Sequence, residues 1–227
     1  MTQAVQRQYL RAVGYGVVAI SPTDGSGGEE LGAVVARELG FQLVDEQIVA
    51  RAAQEAGVDA EVVADVERRK SVLARLLDGL AEGAPGGASA FSGFAPISEH
   101  PGPHRDALRG MIRSVLWESA ERGNAVIVAH AASFALADHP DVLRVLVTAS
   151  PETRARRLAE AQDIGEAEAE KLIARGDANR ADYLKRFYKV SAELPAHYDI
   201  ALNTDRVAPQ DAAALILSAA RSERIPA

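Results

Sequence analysis

A short apolar segment that leads into a glycine-rich turn and then into a helical pattern constrains this chain more than any other feature. The segment GVVAIS (16–21) is rich in β-branched residues and bounded by glycine and proline, which predicts a buried strand. PTDGSGG (22–28) consists mostly of turn-forming residues. In EELGAVVARELG (29–40), leucine and valine recur at helical spacing and glycine stands at the expected C-cap. The sequence therefore predicts a strand, a glycine loop and a helix in succession.

Apolar strand patterns alternate with helical patterns along the rest of the chain. Four further strands are predicted, at FQLVD, AVIVA, VLRVLVTAS and YDIALNT. Helices are predicted at about 105–122, 151–162, 165–190 and 208–222. Apolar strands that alternate with helices are typical of a parallel sheet covered on both faces. We therefore expect an α/β fold with three layers, α/β/α, and a five-stranded parallel sheet whose first strand is central.

The stretch from 81 to 104 differs in kind from the segments around it. It is rich in glycine, proline, serine and alanine, which indicates a long, flexible insertion. Whether this insertion docks as a lid or stays disordered is left open. The chain of 227 residues fits one domain with this insertion, at 1–227, and two small domains are the alternative.

Charge and composition exclude several classes of function. The 32 acidic residues outnumber the 25 basic ones, for a net charge of -7, so nucleic acid is not an expected partner. There are no cysteines, which excludes disulfides and thiolate chemistry. No apolar run approaches membrane-spanning length, so we expect no membrane contact and a cytoplasmic protein. The sequence leaves the oligomeric state open, homo-oligomers included.

The glycine loop is a candidate phosphate site. Backbone N–H groups of Gly25, Ser26, Gly27 and Gly28 would point inward, and the helix N-terminus would add partial positive charge. The complete phosphate-loop pattern is nevertheless absent, because Gly28 stands where its lysine belongs and Glu29 where its magnesium-binding hydroxyl belongs. A carboxylate there suits the helix dipole, but it opposes a polyphosphate.

Four segments in order resemble the cytidylate kinase-like family of P-loop nucleoside monophosphate kinases. They are AISPTDGSGGEELGAVVARELG, LVDEQIVARAA, GNAVIVAHAASFALADHPDVLRVLVTASPETRARRL and EAEKLIARGDANRADYLKRFY, the last followed by YDIALNT. The resemblance covers 17–216 apart from much of the insertion. It implies a P-loop NTPase-type fold with a helical lid at about 151–190. It also implies an ATP-dependent nucleotide kinase that uses Mg²⁺ and phosphorylates a small nucleotide or related phosphorylated metabolite.

The resemblance assigns roles to residues of the phosphate-donor site and of the acceptor site. The loop from Gly25 to Gly28 would cradle the donor phosphates. Asp45 and Arg51 would face the acceptor nucleotide, Asp45 accepting from its base or sugar and Arg51 pairing with its phosphate. From the residues alone, Asp45 could equally cap the following helix. No protein-bound metal site is predicted.

The resemblance places the catalytic arginines in the lid. Arg154 and Arg157 would begin the lid, and Arg180 would reach from its long helix to the phosphates being transferred. The alternative for each of these arginines is a solvated charge on a helix face.

Three positions depart from the family's pattern, and all three lose a cation. Pro22 and Glu29 stand where the family typically has basic residues on either side of the loop glycines. His130 replaces an arginine after the AVIV strand, where it would be a substitute donor only when protonated, and a structural role is the alternative. Since phosphoryl transfer depends on positive charge at the transferred group, these departures argue against an efficient kinase.

Two functions from different classes therefore remain. One is an active nucleotide kinase, favoured by the loop and the lid arginines. The other is a catalytically degenerate relative that binds a ligand or a partner protein, favoured by Pro22, Glu29 and His130. A third alternative is an unrelated α/β protein without a nucleotide site.

Overall fold

A five-stranded sheet forms the centre of the computed structural model, which describes residues 14–45 and 103–222. The strands are β1 (Val17–Pro22), β2 (Gln42–Asp45), β3 (Ala125–Val128), β4 (Val142–Thr148) and β5 (Ile200–Asn203). All neighbouring pairs are parallel, in the order β2-β3-β1-β4-β5. The predicted parallel sheet with a central first strand is confirmed.

Helices follow the strands as the sequence predicted. They are α1 (Gly28–Leu39), α2 (Pro103–Arg122), α3 (Ala132–Ala135), α4 (Pro151–Gln162), α5 (Glu166–Tyr188) and α6 (Pro209–Ala220), with a 3₁₀ turn at Pro195–His197. Pro103 and His104 of the predicted insertion begin α2, and the rest of 81–104 lies outside the described residues. Over the two described ranges, no helix combines the length and apolar character needed to cross a membrane.

The central strand contributes side chains to two hydrophobic cores. Val17 and Ala19 of β1 join one cluster with residues of α2 and α3. Val18 and Ile20 join the other with residues of α1 and α6. Because successive strand residues point to opposite faces, the apolar run is buried on both sides of the sheet. The predicted three-layer α/β/α arrangement is confirmed.

A helical hairpin of α4 and α5 occupies the range predicted for the lid. Ser150 caps α4, its Oγ accepting from the Thr153 N–H at 3.3 Å, and Pro151 opens the first turn. The two helices pack through a small hydrophobic cluster: Ala155, Leu158, Ala159, Ala169 and Ile173. Polar side chains of both helices reach the neighbouring glycine loop.

Candidate functional site

The glycine loop lies between the carboxyl end of β1 and the start of α1. Gly25 and Gly27 adopt left-handed backbone conformations, with φ of 73° and 79°. Gly27 is the N-cap of α1, and no side chain caps that end. Ser26 N–H donates to the Thr23 carbonyl at 3.0 Å, which tightens the turn. The helix N-terminus therefore meets the carboxyl edge of the sheet, the usual ligand edge of an open α/β sheet.

Close packing requires glycine at two loop positions. A Cβ on Gly25 would stand 2.6 Å from the Arg154 carbonyl oxygen, and one on Gly28 would stand 2.5 Å from the Pro22 Cβ. Any larger residue at Gly25 or Gly28 would collide with these neighbouring atoms.

Two carboxylates follow the loop in the first turn of α1, Glu29 and the exposed Glu30. Burial raises the pKa of Glu29 to about 7, and the negative charges of Glu30 and Asp24 add to the rise. The Glu29 backbone N–H and the positive charge of His130 act in the opposite direction. A carboxyl group that is partly protonated near neutral pH thus stands where the phosphate-loop pattern has a hydroxyl.

His130 lies against the loop. Its Nε2 is 2.8 Å from Asp24 Oδ1. Burial opposes the ionised form of Asp24, but the hydrogen bond and charge of His130, with Arg154 and Arg180, hold the pKa of Asp24 below its ordinary value. The imidazole predicted to contact substrate is therefore partnered by a loop carboxylate.

All three predicted catalytic arginines reach the loop, where each donates to a backbone carbonyl. Arg180 Nη1 binds the Pro22 oxygen at 2.9 Å. Arg154 Nη1 approaches the Asp24 oxygen at 3.4 Å. Arg157 Nη1 binds the Ser26 oxygen at 3.2 Å. The carbonyls of alternate loop residues are thus held by the three guanidinium groups.

Carboxylates accept two further hydrogen bonds from each of two of these arginines. Arg154 binds Asp177 through two bonds, Nη1 to Oδ1 at 2.9 Å and Nη2 to Oδ2 at 2.6 Å. Arg180 binds Glu193 in the same manner, Nε to Oε2 at 2.8 Å and Nη2 to Oε1 at 2.6 Å. The arginine side chains are only 5% and 7% exposed. For Arg154 and Arg180, the alternative of solvated surface charges is therefore wrong.

Arg157 is held by uncharged acceptors at the end of β5. Its Nη1 donates to Thr204 Oγ1 at 2.9 Å, and its Nη2 donates to the Thr204 carbonyl at 2.8 Å. Thr204 Oγ1 in turn donates to the Ser26 carbonyl at 2.8 Å. Ser26 Oγ is buried and has no hydrogen-bond partner among the described residues.

Of the two predicted acceptor residues, the structure describes only Asp45, which lies on a different strand from the glycine loop. Asp45 is half-buried at the carboxyl end of β2, and β3 separates β2 from the loop-bearing strand. Arg51 lies outside the described residues. The structure therefore brings the loop glycines, His130 and the lid arginines together, and places Asp45 at a different point along the same edge.

Sequence reasoning missed the carboxylates that pair with Arg154 and Arg180. Asp177 stands one helical turn before Arg180 in GDANR, a spacing that indicates a pair within α5, yet its partner is Arg154 on α4. Glu193, which also accepts from the Tyr198 hydroxyl, follows α5 with no distinguishing pattern around it. Asp24 stands within the loop itself, and its position alone could have identified it.

Comparisons with known proteins agree with the fold. The sequence profile of the cytidylate kinase-like family matches residues 17–206. No curated protein matches the chain. Among solved structures, the chain is similar to an uncharacterized protein from Eubacterium ventriosum, at 16% identity and a TM-score of 0.62, covering 89% of this chain and 96% of that one.

Two shikimate kinases are more distant neighbours. The one from Bacteroides thetaiotaomicron has 16% identity and a TM-score of 0.48, with 89% of this chain and 96% of that one covered. The one from Acinetobacter baumannii, solved with shikimate, has 13% identity and a TM-score of 0.46, with 93% and 94% covered.

Proposed function

Because the chain belongs to the cytidylate kinase-like family, we propose that it is a degenerate kinase-fold protein which binds a phosphorylated ligand but transfers phosphoryl groups poorly or not at all. The ligand class is a small nucleotide or phosphorylated metabolite. In this proposal the glycine loop and the lid form a module that binds a ligand or a partner protein.

The pairing of Arg154 and Arg180 with protein carboxylates carries the proposal. In-line phosphoryl transfer places cations on the transferred group, and one arginine there is worth about 10³-fold or more in rate. Here both arginines are buried. Arg154 donates two hydrogen bonds to Asp177, and Arg180 donates two to Glu193. Moving Arg180 onto a phosphate would leave Glu193, whose side chain is only 20% exposed, without that partner, which is costly for a partly buried charge. Asp177 is 44% exposed, so moving Arg154 would cost less.

The loop residues do not fit a nucleoside triphosphate and its magnesium ion. Where the family has cations there are a proline at Pro22, a carboxyl group at Glu29 and an imidazole at His130 that is bound to Asp24. At position 28, where the phosphate-loop lysine belongs, Pro22 occupies the space that a side chain would need. ATP and Mg²⁺ are general to kinases of this type, but this donor set gives them little support.

The backbone of the loop still suits an oxyanion. The left-handed Gly25 and Gly27 and the uncapped start of α1 form the usual nest of N–H donors with partial positive charge. A single phosphoryl group needs only these local donors and carries less charge to oppose Glu29 than a triphosphate does.

Calorimetry together with a turnover assay tests the proposal. Purified protein would be titrated with ATP–Mg²⁺ and with CMP, and then incubated with both while CDP is followed. We expect weak ATP binding, with a dissociation constant on the order of a millimolar, and negligible CDP formation. Micromolar ATP binding with rapid phosphorylation of CMP would overturn the proposal.

An active kinase is the second candidate, favoured by the convergence of Arg154, Arg157 and Arg180 on the loop. Three lid cations at one loop are what transfer chemistry requires. Under this alternative, the carboxylates hold the arginines in a resting arrangement and release them when substrate binds. CDP formation by the wild type that is abolished by Arg180→Met would support it.

A further inference from the structure

The carboxylate of Asp24 stands between the glycine loop, the end of β3 and the lid helix. Oδ1 lies 2.8 Å from His130 Nε2. Oδ2 lies against Gly176 of α5, so close that a Cβ at that position would collide with it. The side chain is 24% exposed. A loop residue thus makes contact with both an imidazole and the surface of the lid.

Two arginines of the lid helices also lie near this carboxylate. Arg154 of α4 approaches the Asp24 carbonyl oxygen at 3.4 Å, and Arg180 of α5 binds the carbonyl two residues earlier. The positive charges of both arginines and of His130 stabilise the ionised form of Asp24 and lower its pKa. Arg154 is also bound by Asp177 and Arg180 by Glu193, so Asp24 is the third carboxylate in a cluster that contains three basic side chains. Removing its charge would leave that cluster more positive, which favours an external oxyanion.

We propose that Asp24 is an internal ligand of the glycine loop, where its carboxylate holds the lid helix on the loop and competes with external oxyanions such as inorganic phosphate. The lid contact is specific, because the missing side chain of Gly176 provides the room that the carboxylate fills. Next to it, Asp177 is bound to Arg154, so the loop and both lid helices are joined within one turn of α5.

The proposal goes beyond the proposed function, since it concerns the resting state of the lid. A wild-type protein that formed CDP rapidly would refute the proposed loss of catalysis and leave the role of Asp24 standing. Conversely, an inert protein in which Asp24 has no effect on phosphate binding would refute only this inference.

The direct test removes the charge of Asp24 and keeps its shape. Inorganic phosphate would be titrated into the wild type and Asp24→Asn by calorimetry, at one pH and one salt concentration. We expect the dissociation constant to fall by at least about tenfold in the variant, because one like charge at close range is removed. Asp182→Asn is the matched control for the loss of one negative charge, since Asp182 lies on α5, is exposed and is paired with Arg186. Equal phosphate affinity in Asp24→Asn and Asp182→Asn would overturn the proposal.

A second variant displaces the carboxylate from the lid without touching Asp24. Gly176→Ala would place a methyl group in the space of Asp24 Oδ2, and Gly110→Ala makes the same change in α2, where nothing lies within 4 Å. Alanine has a higher intrinsic helix propensity than glycine, so the substitution alone should stabilise a helix. If the Asp24 contact holds the lid, its loss should outweigh this gain, and amide exchange over 166–188 should become faster in Gly176→Ala. In Gly110→Ala, where no contact is lost, exchange in α2 should become slower. Slower exchange in α5 of Gly176→Ala would show that the Asp24 contact does not hold the lid.

Discussion

Pro22 and Gly28 share one space at the two ends of the glycine loop, since a Cβ on Gly28 would stand 2.5 Å from the Cβ of Pro22. Val147 closes the same space from β4, its Cβ 3.4 Å from that point. The proline and the glycine are therefore coupled, because a side chain at 28 requires a smaller residue at 22. The departures at these two positions form a single change in the packing of the loop.

Restoring a lysine at position 28 tests this coupling. Gly28→Lys should lower the free energy of unfolding by about 1–3 kcal/mol, the usual cost of forcing atoms into a packed site. Adding Pro22→Gly should recover part of that loss, and urea denaturation of both single variants and the double variant measures the coupling. Gly110→Lys is the control, because position 110 is open. Equal stability of Gly28→Lys and Gly110→Lys would show that the loop yields without strain.

Reversing the charge of Glu29 should tighten ATP binding. The carboxyl group lies in the first turn of α1, where it opposes phosphates at the helix N-terminus. We expect Glu29→Arg to lower the ATP dissociation constant by about tenfold, and Pro22→Arg to lower it further, at one fixed salt concentration. Glu30→Arg makes the same change of charge at the exposed neighbouring position. An equal effect from Glu30→Arg would assign the gain to net charge alone.

Stability should fall with rising pH because of Glu29. The pKa of Glu29 is raised from 4.5 to about 7 by burial, so the folded state favours the protonated form. This favourable contribution is complete below pH 4.5 and is lost as the pH rises through 7. Glu29→Gln should therefore be more stable than the wild type at pH 8, by about 1–3 kcal/mol, and nearly equal to it at pH 4.5.

Urea denaturation at several pH values measures this difference, with Glu30→Gln as the control on the exposed side of the same turn. A stability difference between Glu29→Gln and the wild type that is constant from pH 4.5 to 8 would refute the burial of the Glu29 charge.

Removing the carboxylate of Glu193 should destabilise the folded protein strongly. Glu193→Ala leaves the buried Arg180 guanidinium without its two charge-assisted bonds. We expect a loss of about 3 kcal/mol in the free energy of unfolding. Asp182→Ala removes the acid from an exposed pair with Arg186 and should cost about 0.5 kcal/mol or less. Similar losses in the two variants would mean that the Arg180 pair behaves as a surface ion pair.

The succession of strands and helices along the chain and the position of the loop could be predicted from the sequence, because both are encoded locally. The apolar run of β1 and the turn residues 22–28 specify a strand-to-helix junction without reference to distant residues. Proline and serine likewise mark the start of α4. Such signals depend on backbone preference and on burial of a whole face, which a short window of sequence reports.

The partners of the lid arginines could not be predicted, because they depend on how helices pack in space. Arg154 and Asp177 are 23 residues apart in sequence, and they meet only when the alanine-lined faces of α4 and α5 come together. Arg180 meets Pro22 across 158 residues. Their positions in the sequence were equally consistent with catalysis and with solvated charge, and the packing assigns them to the loop carbonyls.

Three guanidinium groups hold the loop by its backbone, at the carbonyls of Pro22, Asp24 and Ser26. A loop fastened in this way has already lost its conformational entropy in folding, so an arriving anion would not have to order it. Binding should then show a small entropy of ordering, and the measured affinity would report mainly on the balance of charge around the site.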